Sequence, residues 1–175
     1  MDIHNLGYQD ISVLDISLTA IEKTKQRLGK KANGVKWIVA DVATFSPIEK
    51  YDFWHDRAAF HFLTDEQDIT KYSKTAHENI NANGILLIGT FSEQGPTKCS
   101  GIEIKQYSEE SMTQRLQDLF EKIKCITVDH QTPFDTLQNF VFCSFRKSVS
   151  PHRSFGEILS AVLKSFAACL FYWDC

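Results

Sequence analysis

Three aspartates follow apolar stretches of the sequence, and their spacing suits nucleotide binding. Asp15 ends the first apolar stretch, Asp41 follows the second and Asp56 lies just past the third. Ligands of open α/β sheets bind beyond the carboxyl ends of the strands. An acid there can accept hydrogen bonds from both hydroxyls of a ribose. An acid one strand further out can accept from an adenine amino group, while the N–H of Val42 donates to the ring.

The alternative for any single aspartate at a strand end is a solvated carboxylate or a helix cap, and that interpretation is the more common one. Asp15 and Asp41, however, stand one helix-plus-strand unit apart and in register. Two acids so placed favour a nucleotide site over two independent caps.

Alternating strands and helices must position these acids. Short β-branched or apolar stretches predict strands at residues 10–15, 35–40, 51–55 and 85–88. Gly84 is expected to turn the chain into the last of these. Continuous apolar strands separated by amphipathic helices are typical of a parallel sheet that is covered on both faces. The fold class is therefore α/β.

Helix signals fall between the strands. Caps are expected at Ser17, at Thr64 with Gln67 in a capping box, and at Ser108. Gly29 suits the end of the first helix. The predicted inward faces consist of Leu18, Ile21 and Leu28, then Ile69, Tyr72, Ala76 and Ile80, then Met112, Leu116, Leu119 and Phe120.

The region after the fourth strand differs from what precedes it. Residues 92–107 form a polar loop that follows the carboxyl end of a strand and could cover a site there. Two closing strands, at residues 123–129 and 139–145, have no helix between them. They are therefore expected to pair antiparallel at the edge of the sheet.

Four segments together resemble the successive motifs of class I S-adenosylmethionine-dependent methyltransferases. They are residues 13–17 (Val-Leu-Asp-Ile-Ser), 39–42 (Val-Ala-Asp-Val), 51–57 (Tyr-Asp-Phe-Trp-His-Asp-Arg) and 83–88 (Asn-Gly-Ile-Leu-Leu-Ile). The Trp-His-Asp-Arg stretch is similar to the small bacterial members related to thiopurine and tellurite methyltransferases. The resemblance covers about residues 6 to 147, so residues 1–147 are expected to form a partial methyltransferase domain. It implies a Rossmann-like sheet, mostly parallel with an antiparallel closing strand.

The resemblance also implies a cofactor, an acceptor and site residues. The cofactor is S-adenosylmethionine and the acceptor a small molecule. Residues implied to bind the cofactor are Asp15, Ile16, Asp41, Val42 and His55, and the residues His55 to Arg57 are implied to line the side of methyl transfer. Asp56 or His61 is the candidate general base if one is needed, and Arg57 the candidate to orient an anionic acceptor.

One departure from the family pattern counts against activity. The family has a glycine-rich turn about 20 residues before the ribose-binding acid. Asp15 has 14 residues ahead of it, and Gly-x-Gly does not occur in the sequence. We therefore expect an N-terminally truncated methyltransferase that lacks the first strand and the glycine loop, with impaired activity. The alternative is a non-catalytic remnant of the fold that acts as a binding or interaction module.

Composition excludes several other classes. Nineteen Lys and Arg against 22 Asp and Glu give a net charge of −3, so no basic surplus is present for nucleic acid. Five scattered cysteines predict reduced thiols in a cytoplasmic protein, with Cys99 as a candidate exposed thiol. His55 and His61 lack a third ligand at fitting spacing, so no metal site is expected.

Residues 148–175 form an apolar tail outside the family pattern. Ser154 and Glu157 form a capping box, and 13 of the 16 residues from 158 to 173 are apolar. A membrane span needs roughly 20 apolar residues and disfavours a central charge such as Lys164. We expect an amphipathic helix that packs on the domain or binds a partner, and no transmembrane span.

Overall fold

The computed structural model describes residues 7–132, 135 and 137–148. These residues form two compact units, residues 7–44 and residues 45–148. The predicted helical tail beyond residue 148 and the predicted end of a helix before Gly7 lie outside the described residues.

The first unit contains two parallel strands and the helix that connects them. Strand β1 spans Ile11–Asp15, helix α1 Leu18–Leu28 and strand β2 Val35–Val39, and a 3₁₀ helix at Gly29–Gly34 precedes β2. Ser17 caps α1, because its Oγ accepts from the N–H of Ala20 at 3.2 Å. The predicted strands, helix and cap are confirmed. Leu18 was expected to face inward but is exposed, so Ile21 alone of the predicted face is buried.

The second unit is built on a four-stranded sheet. Its strands are β3 at Tyr51–Arg57, β4 at Ile80–Phe91, β7 at Phe120–Gln131 and β8 at Leu137–Lys147. They lie in the order β3-β4-β8-β7. The β3–β4 pair is parallel and both pairs that involve β8 are antiparallel. The two parallel pairs and the antiparallel closing strands confirm the predicted α/β class and sheet.

Two details of this sheet differ from expectation. The strands are longer than the apolar stretches, so Asp56 lies within β3 and not just past it. Gly84 lies inside β4 and does not precede it. Where the turn was expected, the pairing of β4 with β3 is irregular. Asn83 has a φ of 64°, and the register shifts between Tyr51 and Phe53. Ladder hydrogen bonds on either side of this irregularity extend the strand beyond its apolar part.

Two helices cover this sheet and supply its core. Helix α2 spans Glu66–Asn79 and helix α3 spans Glu109–Leu116. Asp65 caps α2, not Thr64 as predicted, because the Asp65 carboxylate accepts from the N–H of Gln67 at 2.7 Å. Ser108 caps α3 as predicted. The fully buried side chains of this core include Ile69, Tyr72, Leu86, Ile88, Met112, Leu116 and Phe145.

Residues 92–107 contain a small hairpin. Strands β5 (Lys98–Cys99) and β6 (Ile102–Glu103) pair antiparallel across a turn at Ser100 and Gly101, which both have positive φ. Cys99 was a candidate exposed thiol, but it is 3% exposed and packs against Phe91 and Phe140. Cys99 therefore faces the protein interior, whereas its ladder partner Ile102 is exposed.

The expectation that all thiols are reduced is wrong for one pair of cysteines. Cys125 and Cys143 form a disulfide between β7 and β8, with their Cα atoms 4.1 Å apart. They are direct partners in the antiparallel ladder. Separation along the chain gave no sign of this pair, because only strand register brings the two sulfurs together.

Helix lengths also bear on the membrane question. Across residues 7–132, 135 and 137–148, no helix is long and apolar enough to cross a membrane.

Candidate functional site

Asp15 and Asp41 lie at the same edge of the β1–β2 sheet. Asp15 is the last residue of β1 and pairs with Val39, the last residue of β2. The N–H of Ala40 donates to the carbonyl oxygen of Asp15 at 3.2 Å, which carries the pairing one residue past the strand. Asp41 follows directly. The parallel ladder therefore brings the two predicted acids to one edge.

Each of these acids is held by its own local turn and keeps free hydrogen-bonding capacity. Asp15 Oδ1 accepts from the N–H of Ser17 at 2.7 Å, and Asp41 Oδ1 accepts from the N–H of Ala43 at 2.9 Å. Among the described residues, neither Oδ2 accepts a hydrogen bond and the N–H of Val42 has no partner. Ile16, beside Asp15, is 68% exposed. This edge can bind a group that carries hydroxyls, an amino group and a ring acceptor.

Asp56 has a different environment from Asp15 and Asp41. It is 5% exposed, and its Oδ1 accepts from the N–H groups of Ala59 at 3.1 Å and Phe60 at 3.0 Å. Its Oδ2 accepts from the hydroxyl of Tyr72 at 2.8 Å. Burial raises the pKa of Asp56, and these three hydrogen bonds act against that rise. The carboxylate therefore holds the turn that follows β3.

The turn after β3 contains a strained residue. Ala58 has a φ of 62°, a conformation that costs an L-residue about 1–2 kcal/mol. Its N–H donates to the carbonyl oxygen of Gly89 on β4 at 2.9 Å. Together with the hydrogen bonds to Asp56, this contact holds the chain in that conformation. Strain maintained by surrounding contacts is often found at functional sites.

Tyr72 was expected only as part of the buried face of α2. Its hydroxyl donates to Asp56 and accepts from Nε1 of Trp54 at 3.1 Å, so it links α2 to β3. A tyrosine on an otherwise apolar helix face needs a partner for its hydroxyl, and that requirement was the available signal. The partner itself could not be read from the sequence.

The remaining predicted residues lie before and after this turn along the chain. His55 and Arg57 are in β3 and precede it, and His61 follows it. His55 is exposed and stacks on Phe53 with ring centroids 6.1 Å apart. Arg57 is half-buried and lies with its guanidinium 5.7 Å from the ring centroid of Phe140. Such a cation over an aromatic ring keeps its charge while it is partly removed from water.

His61 is completely buried, and neither ring nitrogen has a hydrogen-bond partner among the described residues. Burial lowers its pKa to about 4, so the imidazole is neutral at pH 7. A buried polar group without a partner costs about 1–3 kcal/mol. The structure thus brings Asp56, Arg57 and His61 to one short segment at the carboxyl end of β3. No group of three metal-binding side chains occurs among the residues it describes.

Comparison with known sequences gives a partial match. No protein-family model matches the chain. A malonyl-[acyl-carrier protein] O-methyltransferase from Anoxybacillus flavithermus is 35% identical over 86 residues, which are 49% of this chain and 31% of that protein. The chain thus spans about a third of the length of the curated relatives that it matches.

Comparison with solved structures covers more of the chain. The N-methyltransferase NodS from Bradyrhizobium japonicum WM9 has a TM-score of 0.65 at 18% identity, over 80% of this chain and 74% of NodS. The 1,6-didemethyltoxoflavin-N1-methyltransferase from Burkholderia thailandensis has a TM-score of 0.63 at 17% identity, over 82% and 63% of the two chains. Both proteins have been solved with S-adenosylhomocysteine. The chain resembles class I S-adenosylmethionine-dependent methyltransferases in fold and in part of its sequence, as its motifs predicted.

Proposed function

We propose that this protein binds S-adenosylmethionine and transfers its methyl group to a small-molecule acceptor. The observation that carries the proposal is the edge formed by Asp15 and Asp41, where two acids and one unpartnered N–H meet the needs of an adenosine. The match to the O-methyltransferase and the fold shared with the two N-methyltransferases support the reaction class.

We assign cofactor binding to residues of the first unit. Asp15 Oδ2 accepts hydrogen bonds from the ribose hydroxyls, since its Oδ1 is held by Ser17. Asp41 accepts from the adenine amino group, and the N–H of Val42 donates to the ring. Ile16 presents an apolar side chain beside the acids. When bound, S-adenosylmethionine supplies a sulfonium methyl group that is open to direct attack by a nucleophile.

We assign acceptor binding to the carboxyl end of β3 and the turn that follows it. Arg57 provides a positive charge that orients an anionic group of the acceptor, a role compatible with its place over Phe140. His61 is neutral and can accept a proton. Asp56 acts through the turn that it holds, because its three hydrogen bonds engage both oxygens. His55, which is exposed two residues before the end of β3, is the remaining residue on the side of methyl transfer.

The first test is thermal unfolding with and without S-adenosylhomocysteine. We expect a rise in Tm of several degrees, because a ligand at 100 times its Kd adds about 2.7 kcal/mol of stability. Asp15→Ala should abolish the rise. Asp10→Ala is the matched control, since Asp10 precedes β1 at its opposite end and, among the described residues, makes an exposed 3.6 Å ion pair with Lys36. An equal loss of the shift in both variants would refute the assignment of Asp15.

The acceptor is then sought among small thiols, amines, phenols and carboxylic acids by the formation of S-adenosylhomocysteine. Carboxylic acids are included because the matching relative is named as a malonyl-[acyl-carrier protein] O-methyltransferase. Loss of activity in Arg57→Gln with a raised KM and little change in kcat would support an orienting role for this residue.

A second candidate is the non-catalytic binding module, which is favoured by the absence of Gly-x-Gly from the sequence. It predicts a cooperative melt without a Tm shift by S-adenosylhomocysteine. It also predicts that no member of the acceptor panel is methylated.

A further inference from the structure

The two faces of the β3-β4-β8-β7 sheet differ in how deeply their apolar side chains are buried. Successive residues of a strand point to opposite faces, and ladder partners share a face. The first face, that of Leu86, has completely buried side chains at Leu86, Ile88, Cys143 and Phe145. The second face, that of Leu87, has half-buried apolar side chains at Phe53, Ile85, Leu87, Ile126 and Val128. Apolar surface on the second face is therefore only partly removed from water.

Both α-helices of this unit lie on the first face. Tyr72 of α2 donates to Asp56 at 2.8 Å, and the β3–β4 register places Asp56 on that face. At the start of α3, Glu109 makes a 2.9 Å ion pair with Lys122, which is the ladder partner of Phe145. The same two helices cannot cover the second face.

The second face is covered at one end by residues 92–107. Phe91, Cys99, Phe140 and Phe142 form one buried cluster, against which Ile104 packs. This cluster lies where β4 ends and β8 begins. Toward the other end of the face, two half-buried side chains lie outside the cluster, those of Phe53 and Ile85. The apolar surface at that end is therefore covered neither by this cluster nor by α2 and α3.

The chain leaves the sheet at this less covered end. Strand β8 ends at Lys147, whose Nζ donates to the carbonyl oxygen of Ile80, at the start of β4, at 2.7 Å. Residues 148–153 then precede the expected helix cap at Ser154. Six residues span at most about 20 Å, and connections of roughly 2–6 residues commonly join a strand to a helix that packs on its sheet. The segment after Ser154 can therefore turn back onto a face of this sheet.

The segment after Ser154 has the length and the pattern to cover a sheet. As a helix, residues 155–173 are roughly 28 Å long, and β8 with its 11 residues is about 37 Å long. One side of that helix is apolar, with Phe155, Ile158, Leu159, Val162, Leu163, Phe166, Leu170 and Trp173. The opposite side has Glu157, Ser160 and Lys164. A helix of this kind buries its apolar side and keeps the other side in water.

We propose that residues 154–173 form a helix that turns back after Lys147 and packs its apolar side on the second face, antiparallel to β8. A helix is about 10 Å wide and strands are about 4.8 Å apart, so one placed over β8 also covers parts of β4 and β7. Its contacts there are the half-buried side chains of Leu87 and Ile126. The first face is excluded, because α2 and α3 already occupy it.

Photo-crosslinking in the full chain locates the helix. p-Benzoylphenylalanine replaces Leu163, the protein is irradiated, and peptide mass spectrometry identifies the joined residues. We expect crosslinks to the strand segments around Leu87, Ile126 and Phe142. The matched control has the same label at Ala168, which is about 140° around the helix from Leu163 and should give these crosslinks about ten-fold less often.

Isotope labelling separates a contact within one chain from a contact between chains. An equal mixture of labelled and unlabelled protein should give crosslinked peptides that carry the same label on both parts. Pairs with mixed labels would show that a second copy receives the helix, and would overturn the proposal. Crosslinks confined to residues 7–44 or to α2 and α3, or no crosslink to the second face, would also overturn it.

Thermal unfolding gives a second, independent test. Leu163→Glu places a charge under the apolar side of the helix and should lower Tm by about 5 °C or more, because a buried charge without a partner is costly. Ala168→Glu adds the same charge on the opposite side and should change Tm by less than about 1 °C. Equal changes in Tm would contradict the proposed orientation.

A double substitution tests the contact with Leu87. In a Leu87→Ala background, Leu163→Glu should lower Tm by clearly less than it does in the unaltered protein, because residues in contact are not additive. An equal loss in both backgrounds would refute this contact. None of these measurements involves cofactor or acceptor, so their outcome is independent of the proposed function.

Discussion

The edge at Asp15 and Asp41 and the segment from Asp56 to His61 hold their polar groups in opposite ways. Asp41 is exposed and Asp15 half-buried, and each is oriented by a backbone N–H two residues further along the chain. Asp56 and His61 are buried within the second unit. Asp56 has hydrogen-bond partners on the turn and on α2, while the ring nitrogens of His61 have none among the described residues.

This difference indicates which substitutions should change ligand binding with little effect on the free energy of unfolding. Exposed acids in local turns contribute little to folding, so their substitution should affect ligand binding alone. Buried polar groups affect the free energy of unfolding strongly, because the interior offers no water in place of a lost partner. Substitutions in the second unit must therefore be judged against their effect on stability.

The sharpest test of the comparison is Asp56→Ala against Asp41→Ala. Loss of Asp56 leaves two N–H groups and the Tyr72 hydroxyl without their acceptor, so we expect a loss of about 3–5 kcal/mol in the free energy of unfolding. Asp41→Ala should cost less than about 1 kcal/mol, because its single contact is exposed. Urea denaturation at pH 7 measures both. Similar losses in the free energy of unfolding would contradict the expected difference between the buried and the exposed aspartate.

Acid should destabilise the protein through His61. Its folded-state pKa is about 4 and its ordinary value 6.5, so the unfolded state takes up the proton first as the pH falls below about 6.5. The free energy of unfolding should decrease by up to about 3 kcal/mol between pH 6.5 and pH 4 from this group. His61→Gln should lack this part of the decrease.

The pH comparison has an internal check. Burial raises the pKa of Asp56, so the folded state takes up that proton first and this group favours folding as the pH falls. Both proteins retain Asp56, so its contribution cancels in their difference. Urea titrations from pH 7 to pH 4 should show curves that diverge below pH 6.5; parallel curves would contradict the buried neutral state of His61.

Removal of the Tyr72 hydroxyl should have an intermediate effect. Tyr72→Phe keeps the ring but takes a donor from Asp56 and an acceptor from Trp54, and we expect a loss of about 1–2 kcal/mol. Tyr51→Phe is the control, since the hydroxyl of Tyr51 has no hydrogen bond to the described residues; its effect should stay within about 0.5 kcal/mol. A loss in Tyr72→Phe that is no larger than the loss in Tyr51→Phe would show that the Tyr72 link contributes little.

The smallest expected effect concerns the strained turn. Ala58→Gly relieves a φ of 62° but increases the freedom of the unfolded chain, so the two effects nearly cancel. Ala59 has a φ of −102°, where glycine brings no relief, and Ala59→Gly should cost about 0.5–1 kcal/mol. Thermal unfolding should therefore place Ala58→Gly above Ala59→Gly. The reverse order would mean that Ala58 is not strained.

Patterns confined to a few neighbouring residues predicted much of this fold. Helix α1 begins after Ser17 and ends at Gly29 as expected, because caps act within one turn of the chain. The cap of α2 shifted by one residue, from Thr64 to Asp65, since both residue types can accept from an early helical N–H. Strand ends were underestimated, because ladder hydrogen bonds extended β4 through polar residues to Ile80.

The residues of the candidate sites also differ in whether the sequence could place them. Asp15 and Asp41 could be placed together from sequence, because successive parallel strands must end at one edge. Tyr72 was missed as a partner of Asp56, although its place on the buried face was predicted. Cys125 and Cys143 were expected to be reduced thiols, and their register in β7 and β8 overturned that expectation.

The sequence by itself determined the order of the elements, the caps of α1 and α3, and the strand-end positions of Asp15 and Asp41. Each of these depends on contacts between residues that are close along the chain or on the direction of a parallel strand. Tertiary structure alone decided that Asp56 accepts a hydrogen bond from α2, that His61 is completely buried, and that two distant cysteines meet. Those outcomes depend on which segments pack against one another, and burial then fixes the cost of every polar group that they enclose.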